Sequence, residues 1–99
     1  MKLLELITAV NDKSLSKEHL EAYRDDISNV FAKMQFEMAD VKKSKAIYFL
    51  ENPDKSDKAT ERKWQGTDKG LREIELNHYC KATEEILRSL KSRLYSMYN

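Results

Sequence analysis

Between Leu20 and Tyr48, apolar side chains recur in alternating steps of three and four residues, with no Gly or Pro to interrupt them. Leu20, Tyr23, Ile27, Val30, Met34, Val41 and Tyr48 mark the stripe, Glu37 and Ser44 occupy its two polar positions, and Phe31 and Met38 widen it. A 3.5-residue period belongs to helices that pack along their length on other helices. It predicts one helix from about Lys17 to Glu51, on the order of 50 Å long at 1.5 Å per residue. A 99-residue chain has no globular core that needs such a rod, so a second helix must run back along it.

The reversal is written in "ENPDKSD". Pro53 biases Asn52 away from helical geometry, and the Asn, Asp and Ser residues around it favour a loop. Ser56 or Asp57 can cap a new helix, expected to last one or two turns because Gly66 and Gly70 weaken it. Thr67 or Asp68 then starts a last helix, over about Leu71 to Tyr98. Its stripe is Leu76, Tyr79, Ile86, Leu90, Leu94 and Met97, with Thr83 at the polar position and Leu87, Tyr95 and Tyr98 beside it. At the other end, Leu3, Leu6, Ile7 and Val10 share a face of a short helix from about Lys2, and "NDKSLS" ends it with Ser14 or Ser16 as the next cap. The expected fold is all-α: a single domain over 1–99 with two long antiparallel helices and a short N-terminal helix. So thin a hairpin leaves apolar surface uncovered, which favours a homo-oligomer.

Two glycines, one proline and 35% charged residues agree with long helices in water. Cys80 is the single cysteine, which excludes an internal disulfide and fits a reducing compartment such as the cytoplasm. "MKLLELITAV" lacks a small-residue cleavage site and reads as a helix instead of a signal peptide. No run approaches the roughly 20 apolar residues of a membrane span, so no membrane partner is expected.

Enzymatic constellations are missing. There is no HExxH, CxxC or glycine-rich phosphate loop. His78 and Cys80 are two positions apart on a helix and point away from each other. Asp25 and Asp26, and Glu84 and Glu85, diverge in the same way and make poor metal pairs. The chain is read as a non-enzyme without metal or cofactor.

Charge is distributed unevenly. Residues 1–41 carry five Lys or Arg against eight Asp or Glu, a net of −3, whereas residues 42–72 carry nine against five, a net of +4. Lys42, Lys43 and Lys45 are explained locally if they end the long helix, where cations meet the negative end of its dipole. That reading does not reach Lys55, Lys58, Arg62 and Lys63 across the turn. With Tyr48, Phe49 and Trp64 in the same region, the stretch combines what sequence-tolerant binding of single-stranded nucleic acid requires: cations for phosphates and flat rings for bases. Tyr48, on the main stripe, fits packing better; for Phe49 and Trp64 both roles stand.

"KKSKAIYF" and "LKSRLY" together resemble the motif region of UvsY-type recombination mediators of tailed phages. The matching positions are Lys43, Ser44 and Lys45, the pair Tyr48 and Phe49, and the closing Lys91, Ser92 and Arg93. The likeness spans roughly Tyr23 to Met97. It implies a helical protein that assembles into a ring-like oligomer, binds single-stranded DNA and helps load a recombinase on DNA covered by single-strand-binding protein. Lys43 and Lys45 would inherit the DNA contact, although Lys lacks the planar fork of the Arg that can stand there. The shorter chain leaves Leu90, Leu94, Met97 and Tyr98 to form the oligomer interface. The alternative is a helical adaptor or inhibitor that docks a host protein without touching nucleic acid. It would use the apolar stripe of the long helix or the acidic face of Glu18, Glu21, Asp25 and Asp26.

Overall fold

The computed structural model describes residues 3–10 and 16–98, with the side chains of Val10 and Tyr98 not described. The described residues are 91% helical and contain no strand. Four helices follow in order: α1 Leu3–Val10, α2 Lys17–Glu51, α3 Asp57–Gln65 and α4 Asp68–Tyr98. The two long helices, α2 and α4, pack against each other. The order of their cross-links makes them antiparallel: Glu37 meets Arg72, and Ser44 further along α2 meets Lys69 earlier on α4. The expected hairpin with a short N-terminal helix is therefore present. Lys2 and Ser14, an expected helix start and an alternative cap, lie outside the described residues. Ser16 does cap α2: its Oγ accepts the His19 backbone N–H at 3.3 Å.

Contacts gather into two compact units. One comprises residues 1–33 and 80–99, the other residues 34–79. In the first unit, Leu6 of α1 joins Leu20 and Ile27 of α2 and Leu90 and Leu94 of α4 in a core bordered by Tyr23, Val30, Ile86 and Leu87. Each fully buried Leu or Ile here contributes about 1.5–3 kcal/mol relative to exposure. Leu90 and Leu94, expected at an oligomer interface, are thus spent within the chain. Met97 keeps much of its surface exposed, and Tyr98 falls outside the described side chains.

The second unit buries Met34, Met38, Val41, Trp64 and Leu76, together with the polar Thr60 and Glu73. The two polar positions in the α2 stripe turn out to be cross-helix links. Glu37 holds Arg72 by two hydrogen bonds of 2.5 and 2.8 Å, and Ser44 Oγ accepts from Lys69 Nζ at 2.9 Å. On α4 the stripe begins differently from its sequence reading. Glu73, Thr83, Leu90 and Leu94 are buried with Leu76, whereas Tyr79 and Met97 are exposed. The buried Glu73, three residues before Leu76, extends the inward face by one turn in the same register.

Candidate nucleic-acid interface

The tip of the chain is built by local signals. At the end of α2, Asn52 donates to the Tyr48 carbonyl with both its backbone N–H (2.9 Å) and its Nδ2 (3.0 Å), and Pro53 stops the helix. Ser56 caps α3, its Oγ accepting the Ala59 N–H at 3.2 Å. Thr67 caps α4 by accepting the Gly70 N–H at 3.0 Å, while its hydroxyl donates to the Trp64 carbonyl at 2.6 Å. The loop is clipped to α3 by Lys63, whose ammonium lies 2.6 Å from Asp54. That hydrogen bond, assisted by the Lys55 N–H, holds the Asp54 carboxyl below its ordinary range, and Asp54 in turn raises Lys63.

Three of the residues expected to touch DNA serve the interior instead. Trp64 is only 2% exposed. Its indole N–H donates to Glu73 at 3.1 Å, and its ring lies 5.5 Å from that of Tyr48 at a tilted angle of 58°. A ring so enclosed offers no face to a base. Lys45 reaches the same carboxylate at 3.3 Å and Glu61 at 2.9 Å. Burial disfavours its charge, but the hydrogen bonds it donates to Glu61 and Glu73 outweigh that and raise the ammonium above the usual lysine range. Lys45, Glu61, Trp64 and Glu73 form one polar network that ties α2, α3 and α4 together. Tyr48 packs on Trp64, as its stripe position suggested.

The remaining cations face solvent. Lys42, Lys43, Lys55, Lys58 and Arg62 are exposed, and none of them makes an ion pair among the described residues. The dipole explanation for Lys42, Lys43 and Lys45 does not hold: α2 continues to Glu51 and carries no cation in its last turn, and the dipole's influence is confined to that turn. Phe49 is half-buried and lines a shallow depression of about 260 Å³ with Lys42, Lys45 and Ala46. Lys45 Nζ lies 6.0 Å from the ring centroid. A free ammonium and a partly open ring therefore share one small surface feature, on the side chains of successive turns of α2.

Glu61 and Glu73, the carboxylates that claim Lys45, carried no sequence signal of that role. They stand 16 and 28 residues from it, beyond any helical spacing. Among the described residues no group of His, Cys, Asp or Glu could hold a metal ion, and no helix is long and apolar enough to cross a membrane. No family model matches the chain, and neither the curated proteins nor the solved structures contain a match. The functional reading rests on the residues themselves.

Proposed function

We propose that this protein binds single-stranded DNA through the basic surface of residues 42–62 and acts as an accessory to a recombinase, as its likeness to UvsY-type mediators suggests. The observation that carries the DNA reading is the set of five exposed cations without ion pairs, Lys42, Lys43, Lys55, Lys58 and Arg62, within one compact unit. Five acids of that unit, Glu37, Asp54, Glu61, Glu73 and Glu75, are engaged by other cations, and none of them pairs with these five. Phe49 beside Lys42 supplies the one ring of the stretch placed to stack on a base. Recombinase, single-strand-binding protein and a homo-oligomer are the partners this reading implies.

Counterion release sets the size of the effect. Five phosphate contacts on a single strand give a log–log salt slope of about −3.5, so affinity falls on the order of 100-fold between 50 and 200 mM salt. Fluorescence anisotropy with a labelled 20-nucleotide strand measures this directly. Lys42→Ala with Lys43→Ala, or Lys58→Ala with Arg62→Ala, should each reduce the slope by about 1.4 while the helical circular dichroism stays unchanged. Absence of binding at 50 mM salt, or slopes identical to the parent in both double variants, refutes the proposal.

A further inference from the structure

A concavity of about 470 Å³ in the second unit lies where α2 ends and α4 begins. Ile47, Tyr48 and Trp64 line it, and Glu51 and Asp68 also border it. Ile47 is 46% exposed, and Leu50 close by on α2 is 83% exposed. Apolar surface of this kind is costly to leave in water without a use.

The rim supplies the chemistry of the occupant. Glu51 and Asp68 are exposed and have no cationic partner among the described residues, unlike Glu37, Asp54, Glu61, Glu73 and Glu75 of the same unit. Asp68 has a local use, because a carboxylate in the first turn of α4 favours the helix dipole. Glu51 has none: it ends α2, where a negative charge opposes the dipole. The single cation of the lining, Lys69, donates to Ser44 Oγ and keeps its charge, so the rim carries two carboxylates against one ammonium. We infer that this groove docks a segment of another protein in which an aliphatic or aromatic side chain is flanked by Lys or Arg. The net negative charge of its rim favours a cationic segment over a phosphate backbone, so the inference goes beyond the DNA reading and does not depend on it.

Two labelled 14-residue amphipathic peptides test it, both with Leu and Trp on one face, one with Lys and the other with Glu on the opposite face. The Lys peptide should bind and move the amide resonances of Ser44, Ile47, Glu51 and Thr67, and the Glu peptide should bind several-fold more weakly, by up to about 25-fold, since each of two rim carboxylates contributes up to about fivefold. Glu51→Lys, which suits the helix end and preserves folding, should weaken the Lys peptide about fivefold or more. Ile47→Ala should weaken both peptides. Equal affinity for the two peptides, no binding of the Lys peptide, or resonance changes elsewhere would overturn the inference. So would sedimentation in which the chain self-associates until Ile47→Ala is introduced, because the groove would then belong to a second copy.

Discussion

Gly66 and Gly70 stand four residues apart at the α3–α4 corner, and the same substitution should have opposite effects at the two. A Cβ built on Gly70 would lie 1.9 Å from the Trp64 carbonyl oxygen, 2.7 Å from its carbon and 2.9 Å from Gln65 Cα. Relief to an acceptable contact of 3.0 Å requires the chain to part by about 1 Å against backbone, not against a flexible side-chain end. The carbonyl cannot yield freely. It accepts from Thr67 N at 2.9 Å and from the Thr67 hydroxyl at 2.6 Å, and its own side chain is locked in the polar network. Overpacking costs about 1–3 kcal/mol, and a weakened hydrogen bond adds about 1 kcal/mol. The better helix propensity of Ala returns about 1 kcal/mol. The net destabilisation is about 2 kcal/mol, or roughly 8–16 °C in melting temperature for a domain of this size. At Gly66 the nearest atom to a Cβ is Lys63 O at 3.4 Å, an ordinary contact, and the backbone is already right-handed helical with φ −83°. Gly66→Ala should therefore stabilise by about 0.4–1 kcal/mol through the unfolded chain. Thermal and urea unfolding followed by circular dichroism measures both. Gly70→Ala melting within about 4 °C of the parent, the smallest shift that a net cost of about 1 kcal/mol permits, would refute the close approach of α3 to α4.

Lys45→Ala should reduce stability by about 1–3 kcal/mol and lower the midpoint of urea unfolding, because it leaves the buried Glu73 without its cation; an unchanged midpoint would contradict the network. Any loss of DNA affinity in that variant should track the unfolded fraction, unlike that in Lys42→Ala with Lys43→Ala. Acid should loosen the second unit. Glu37 is lowered from its ordinary 4.5 chiefly by its Arg72 hydrogen bond, and Asp54 from 3.8 chiefly by Lys63. Both contributions are complete above the unfolded values and are lost as pH falls from about 4.5 through the lowered folded values. Because both pairs are solvent-accessible the effect is small, and Glu37→Gln should flatten the acid limb of a stability–pH profile that the parent shows; an identical limb would count against the Arg72 contact.

The sequence by itself determined where the helices run. The α2 limits, Lys17 and Glu51, follow from an unbroken stripe between a serine cap and a proline, and Ser56 and Thr67 mark the starts of α3 and α4. These signals act within a turn or two of chain, where spacing and side-chain chemistry suffice. The basic stretch was equally legible as a surplus of charge. Its division was not: only the tertiary structure decided that Lys45 and Trp64 turn inward while Lys42, Lys43, Lys58 and Arg62 face water. That choice depends on Glu61 and Glu73, which α3 and α4 bring to Lys45 from 16 and 28 residues away. Gly70 reads in sequence as a weak spot in a helix, yet it is the place where two helices come too close for a Cβ. Local pattern fixes the rods because hydrogen bonds along a helix are short-ranged. Which side chains they enclose depends on how the chain returns on itself.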